Sequence, residues 1–455
     1  MTAKTRTEQD SLGKIQVPAN ALFGAQTQRA VDNFQFSSWR MPPEWLQTLA
    51  LIKQAAALAN AELGELDATK AEAIQTAAQD IVDGELLDHF PVDVFQTGSG
   101  TSSNMNMNEV LARRASQQSG LTISPNDDVN RGQSSNDVVP TCNHLMAAVM
   151  IDTQLLPALK HLRERFDALS DQYGHLVKTG RTHLMDAMPI SVAQEIDGWR
   201  QPVIDIEHQL QNNLNTLCKL TLGGTAVGTG VNAHEDFGKK VAQHLSLGTG
   251  LTLTQTNHHF SLQSGQQDLV ALSGTVRQLA TWLIKVANDL RWMNSGPLAG
   301  LQEAQLPALQ PGSSIMPGKV NPVIPEAVVQ AAFQIMGNDQ VIALGAQNGQ
   351  FQLNTSMPLI AYNLHINLTL ASRCCRSLAD LTLDGLLYNE AAINSPLARN
   401  PILATVLNPV IGYDAAADIA KTAYTTGRPI LDVALEKTDL SEDELKVLLD
   451  PRRMV

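Results

Sequence analysis

The chain has 455 residues, 44% of them hydrophobic and 17% charged, the profile of a globular protein long enough for two or three domains. A net charge of −13 argues against nucleic acid as a partner, because phosphate binding calls for a basic face. Aromatic residues are only 4%, with Ala, Leu, Gln and Asn abundant, which favours helices packed through aliphatic side chains over sandwiches or barrels.

The opening, residues 1–13, is polar and charged and lacks the apolar core of a secretion leader. No apolar run of membrane-spanning length follows it, so the expectation is a cytoplasmic protein with no membrane partner. Short helical patterns at 45–63 and 70–84 are broken by polar turns. Residues 138–173 predict a long helix, with Pro140 near its start, where a missing N–H costs little. Two long amphipathic helices follow. One has its seam at Ile196, Trp199, Val203, Ile206, Leu210, Leu214 and Leu217, with Pro202 expected to bend or break it. The other has its seam at Leu269, Leu272, Val276, Leu279, Leu283, Val286 and Leu290. Each helix would span roughly 40 Å at the α-helical rise. Further helices are predicted at 322–336 and 358–378, and a short one at 414–425.

These elements predict an all-α fold. A central long-helix bundle at 137–389 is flanked by two smaller, mostly helical domains at 1–136 and 390–455. Seams of this length are expected to be covered by other subunits, giving a homo-oligomer. The four cysteines, Cys142, Cys218, Cys374 and Cys375, contain no CxxC pair and predict free thiols without a disulfide framework, zinc site or iron–sulfur cluster. No metal and no cofactor are expected.

Polar, glycine-rich islands interrupt the helical text at 97–109 (TGSGTSSNMNMNE), 124–137 (SPNDDVNRGQSSND), 180–186 (GRTHLMD), 223–230 (GGTAVGTG) and 312–322 (GSSIMPGKVNP). Singly, each reads as turn and cap residues, Met105 and Met107 as packing, and His183 as a structural histidine. Together they differ, because three of them run into predicted helix starts near Asn136, Pro189 and Pro322. Unpaired N–H groups there attract carboxylates. The hydroxyls and amides of Thr101, Asn104, Ser134, Ser135, Asn136 and Asn321, with the charge of Lys319, would make a donor-rich nest for a small dicarboxylate.

The 312–322 string resembles the signature loop of the fumarase/aspartase superfamily. Residues 10–18 (DSLGKIQVP), 23–28 (FGAQTQ) and 411–416 (IGYDAA) are similar to that family's opening and C-terminal domain, so the resemblance covers the whole chain. Within the superfamily the match is to class II fumarases, on the 97–109 string, on Thr182-His183 and on Gly318. The resemblance implies reversible hydration of fumarate to malate, as in the tricarboxylic acid cycle, without metal, by a homotetramer whose sites draw on three subunits. The alternative on the same fold is an aspartate ammonia-lyase or a hydratase of a substituted fumarate. By resemblance Ser313 is the base, His183 serves the oxygen end, and Glu326 is the partner of His183. The implied substrate contacts are Ser99, Gly100, Thr101, Ser134, Ser135, Asn136, Thr182, Ser314, Lys319, Val320 and Asn321. Ser124, Pro125, Asn126 and Asp127 resemble a second, non-catalytic anion site. The chain departs from the family at Ser124, where His is usual, which weakens that second site. It also departs at Met185 and Met188, where fumarases commonly have Gln and Thr.

Overall fold

Helices form where apolar residues recur at three- and four-residue spacing, and seventeen α-helices stand among the described residues. The computed structural model describes residues 4–455, and Met1–Ala3 of the polar opening lie outside the described residues. The chain begins with an antiparallel hairpin of β1 (Thr5–Asp10) and β2 (Gly13–Pro18). Helices α1 (Ala25–Asn33), α2 (Pro43–Glu62), α3 (Ala68–Val82) and α4 (Thr101–Ser119) follow. Pro43 opens α2 and the Asp67 carboxylate caps α3 by accepting from Thr69 and Lys70 N–H, so both starts are written locally. Next come α5 (Ser135–Met150) and α6 (Leu156–Tyr173), joined by one π-helical turn at Ile151–Leu155. A second hairpin, β3 (Val177–Thr182) and β4 (Met185–Ser191), leads into α7 (Val192–Leu217). Then follow α8 (Phe237–Thr249), α9 (His259–Ser264), α10 (Gln267–Met293), α11 (Val323–Gln347) and α12 (Met357–Leu378). Five short helices complete the chain: α13 (Glu390–Leu397), α14 (Asn408–Ile411), α15 (Tyr413–Thr426), α16 (Ile430–Lys437) and α17 (Glu442–Leu448).

Two compact units emerge. The first comprises residues 4–157, 208–280 and 333–372, and the second residues 158–207, 281–332 and 373–455. In the first, the Trp45 indole N–H donates to Asn143 Oδ1 at 2.8 Å, fixing α2 on α5. Polar pins join its long helices: Asn213 to Thr275 at 2.8 Å, Ser273 to Asp339 at 2.7 Å, and Asn338 to Asn367 at 3.0 Å. These pins explain why α11, expected at 322–336, extends to Gln347, since Asn338 and Asp339 are buried partners and not a break. In the second unit, Phe166 of α6 meets Trp199 of α7 and, edge-on, Trp282 of α10. Leu403, Leu407, Ile419, Ile430, Val433 and Leu445 form a separate small core near the C-terminus.

Three sequence expectations are corrected. Among the described residues, strands are present as five two-stranded pairs, and the 180–186 island is a hairpin, not the lead-in to a helix. Pro202 does not break α7, which runs through it. The seams at Ile196–Leu217 and Leu269–Leu290 were expected between subunits. Every seam residue is 5% exposed or less within the single chain. The physical reason is that several long helices of one chain cover one another's stripes. On α11, by contrast, Phe333, Met336 and Leu344 are exposed apolar side chains. All four cysteines are free and buried. No described helix is long and apolar enough to cross a membrane.

Candidate active site

Within the first unit, two islands meet beside α4 and α5. Gly98 lies against the Thr355 carbonyl so closely that a Cβ would come within 1.8 Å, which requires glycine there. Gly100, at φ +75°, is the left-handed N-cap of α4. Between and beyond these glycines, the Ser99 and Thr101 hydroxyls share a hydrogen bond of 2.8 Å. On α5, Ser134 and Asp137 form a capping box: Ser134 Oγ accepts from Asn136 N–H, and Asp137 Oδ1 accepts from Ser134 N–H at 2.9 Å. Asp137 Oδ2 also accepts from the N–H groups of Gly223 and Thr225, tying the 223–230 island to the same place. Ser135 Oγ accepts from the Asn104 amide at 3.0 Å, and the Asn136 amide donates to the Ala226 carbonyl at 2.8 Å. Ser99, Gly100, Thr101, Asn104, Ser134, Ser135 and Asn136 are therefore one assembly.

Sequence reasoning missed Lys53, which stands behind that assembly. Its ammonium donates to Asn130 Oδ1 at 3.0 Å and Gln133 Oε1 at 2.8 Å, and its side chain is wholly buried. Burial lowers its pKa to about 7, opposed in part by the charge of Asp137. Burial likewise raises Asp137 to about 6, against the three N–H groups it accepts. A signal did exist in the sequence: Lys53 interrupts the buried face of α2 made by Leu49, Ile52, Ala56 and Ala59.

Ser124 caps the π-helical turn Pro125–Val129. Its hydroxyl accepts from Asp127 N–H at 3.1 Å and donates to Asp127 Oδ2 at 2.9 Å. Asp128 is held by Lys70, while Asn126 and Asp127 are exposed. The hydroxyl of Ser124 is thus committed to its own turn.

The second unit carries the remaining residues. Thr182 pairs with Met185 across a two-residue turn, and His183 and Leu184 both have positive φ, 54° and 61°. Both residues are non-glycine in a turn that favours Asn-Gly, so the His183 ring is held at an exposed tip at some backbone cost. The hairpin is secured at its base. Buried Lys178 pairs with Glu195 at 2.9 Å and Glu303 at 2.7 Å, and Arg181 hydrogen-bonds Glu303. Burial works to raise the Glu303 carboxyl. Arg181 and Lys178 overcome it, so that carboxyl lies below its ordinary value. Gly180 sits at the register shift of the pair, where a Cβ would come within 2.6 Å of the Met188 carbonyl.

The signature loop closes at its neck. Gly312 packs on the Lys319 carbonyl, where a Cβ would lie at 2.1 Å, and the Asn321 amide donates to the Gly312 carbonyl at 2.7 Å. Inside the loop, Ser313 Oγ accepts from the N–H groups of Ile315 and Met316, at 3.3 and 3.0 Å. Ser314 and Val320 are exposed. The Lys319 ammonium donates to Asn321 Oδ1 at 2.8 Å, not to Ser313. Glu326 occupies the first turn of α11 and, with Arg291, Asn294, Lys319 and Asn321, lines a cavity of about 490 Å³. Among the described residues no hydrogen bond or ion pair joins Glu326 to His183. No group of three or more His, Cys, Asp or Glu among them is placed to hold a metal ion.

The chain matches the family model described as lyase over residues 13–337 and that of the fumarase C C-terminus over residues 403–455. It is 52% identical to fumarate hydratase class II 2 of Pseudomonas aeruginosa over 99% of this chain and 98% of that one. It is also 52% identical to fumarate hydratase class II of Xylella fastidiosa, covering 98% and 94% of the two chains. The crystal structure of recombinant class II fumarase from Schistosoma mansoni superposes with a TM-score of 0.96 at 36% identity, over 99% of each chain. Lyase-family likeness over most of the sequence and full-length likeness to these hydratases give the same answer: the chain belongs to the class II fumarase family.

Proposed function

We propose that the protein is a fumarate hydratase, interconverting fumarate and (S)-malate with Ser313 as base and His183 at the oxygen end. The observation that carries the mechanism is the pair of N–H groups on Ser313 Oγ. A serine hydroxyl is too weak an acid to serve as base unless its oxyanion is stabilised, and one well-placed donor is worth about 3–4 kcal/mol. In dehydration, Ser313 Oγ takes the proton from the carbon beside a carboxylate. The electron pair moves into that carboxylate, and donors hold the resulting dianion. Hydroxide then leaves the neighbouring carbon with a proton from His183. Hydration reverses each step. Ser99, Gly100, Thr101, Ser134, Ser135 and Asn136 supply neutral donors, as do Thr182, Ser314, Val320 and Asn321. Lys319 supplies positive charge, and Glu326 serves as the carboxylate partner of His183. The exposed Ile315 and Met316 suit a loop that closes over substrate. A second anion site at Ser124, Pro125, Asn126 and Asp127 would be weak, because Ser124 is spent on its own turn.

The test is the absorbance of the fumarate double bond, with malate and aspartate offered separately and a strong chelator present. Malate is expected to give fumarate at an unchanged rate with chelator. Turnover of aspartate alone would replace this reading with an ammonia-lyase, and loss of activity in chelator restored by iron would overturn the metal-free mechanism.

The same reading includes a cytoplasmic homotetramer with catalytic segments drawn from three subunits and a domain division at 136/137 and 389/390. Phe333, Met336 and Leu344 on α11 support the assembly, since an exposed apolar stripe on a long helix calls for a partner. Light scattering is expected to give a mass near four chains, and Phe333→Asp with Leu344→Asp is expected to dissociate the particle. A fully active monomer would exclude the arrangement.

A further inference from the structure

We propose that Lys53 is a positioning residue of the substrate site, its ammonium setting the Ser134–Asn136 nest for a dicarboxylate and placing a cation behind it. The inference rests on reading that nest as the dicarboxylate site.

Three observations carry it. First, Lys53 is a wholly buried cation whose hydrogen-bond partners are neutral, Asn130 Oδ1 and Gln133 Oε1. Burying a charge without a carboxylate contact is costly. Second, both partners belong to the segment that runs into Ser134. Asn130 donates back to the Gln133 carbonyl at 3.2 Å, and Gln133 donates to the carbonyls of Val129 and Arg131, so Lys53 closes the turn that aims the nest. Asn60, two turns further along α2, donates to the same Arg131 carbonyl at 3.0 Å. Third, Asn130 Oδ1 collects Lys53, Asn104 and Asn108, and the Asn104 amide also holds Ser135 Oγ. A change at Lys53 therefore reaches the Ser135 hydroxyl through one shared oxygen.

Charge explains the selectivity. Fumarate carries two negative charges throughout the neutral range, and the Ser134–Asn136 segment itself offers only neutral donors. Lys53 supplies attraction through low-dielectric protein, where it is screened less than at a surface. The titratable groups that act on Lys53 are Asp137 and Cys142 of α5. On the elements packed against α2, Glu72 of α3 and Lys239 of α8 are exposed, and other charged groups are paired. Lys70 of α3 holds Asp128, Lys240 and His244 of α8 hold Glu62, and Glu109 of α4 accepts from Gly24 and Thr27. On α4, Arg113 and Arg114 pair with Glu8 and Asp80. With a pKa near 7, Lys53 is charged below that pH and loses its charge above it. Substrate affinity supported by Lys53 is therefore strongest on the acid side and declines as pH rises through about 7.

The experiment compares fumarate hydration by wild type, Lys53→Met and Lys53→Arg across neutral pH. Lys53→Met is expected to raise KM at least about tenfold at slightly acid pH while changing kcat less than about threefold. Wild-type KM is expected to climb as pH rises through about 7, and that climb is expected to vanish in Lys53→Met and move to higher pH in Lys53→Arg. A residue that only stabilised the fold would lower melting temperature and active fraction but leave KM and its pH profile in place. A Lys53→Met KM within about twofold of wild type overturns the proposal. If Lys53→Met and Lys53→Arg do not fold, the wild-type profile decides, and a KM flat through neutral pH overturns it equally. Absence of fumarate turnover in wild type would strike the hydratase reading instead.

Discussion

Ser313→Ala is expected to lower kcat by at least about 10²–10⁴-fold, the share of the rate that a positioned acid–base group supplies, while fumarate still binds. The variant removes only the oxygen that Ile315 and Met316 N–H converge on. The loop neck at Gly312, the Lys319–Asn321 contact and the cavity lined by Arg291, Asn294 and Glu326 do not depend on that oxygen. A fall in kcat with KM little changed is the signature of a group that acts in the transition state. Exchange of deuterium at the carbon beside the malate carboxylate separates the two ends of the mechanism. His183→Asn is expected to slow turnover as well, but in the proposed mechanism it acts on the departing oxygen and leaves the carbon-bound proton to Ser313. Wild-type exchange in Ser313→Ala would show that the loop is a lid and move the search for the base to His183.

Glu303→Ala is expected to destabilise the protein by about 3–5 kcal/mol, since deleting one member of a buried charge cluster strands the others. Lys178 keeps Glu195, which places the loss toward the lower end, while Arg181 loses its carboxylate partner. The effect is expected to reach turnover, because Arg181 on β3 lies two residues before the proposed catalytic His183 and a two-stranded pair has little stability of its own. Denaturant unfolding reads the first consequence and kcat the second. The sign of the pH dependence follows from the depressed Glu303 carboxyl. Its contribution is present above the ordinary value of 4.5 and is lost as pH falls through the lower folded value. Wild type therefore approaches the variant's stability on acidification. Equal unfolding midpoints at neutral pH, with equal turnover, would remove Glu303 from this role.

The helices were legible because their apolar positions repeat at the helical period. Residues 45–63 and 358–378 correspond to α2 and α12 within two residues at either end. Signature-loop residues were legible by resemblance, and the structure puts two N–H groups on Ser313 as a glycine-rich loop allows. The His183 hairpin was less visible. Residues 180–186 contain no alternating run and no Asn-Gly, and the turn takes His and Leu at positive φ against local preference. Cover of the long seams was also misplaced. Ile196 and Leu269 announce a buried stripe, but periodicity does not say whether the covering helix belongs to the same chain. Glu303 was missed because a single charged residue in a loop looks like a solvated one until its neighbours are known, whereas Lys53 does leave a mark, interrupting the apolar stripe of α2.

Burial of the seams inside one chain separates two events in the life of the protein. A newly made polypeptide can complete the stripes of α7 and α10 by itself, because Ile196–Leu217 and Leu269–Leu290 need no second copy. In the proposed tetramer, folding of each chain would be first-order and independent of concentration, and only the joining of subunits along Phe333, Met336 and Leu344 would depend on encounter. If catalysis needs the proposed tetramer, scarce chains in a dilute compartment would persist folded but inactive until partners arrive. Abundance would thus act as a gate on catalysis without acting on structure.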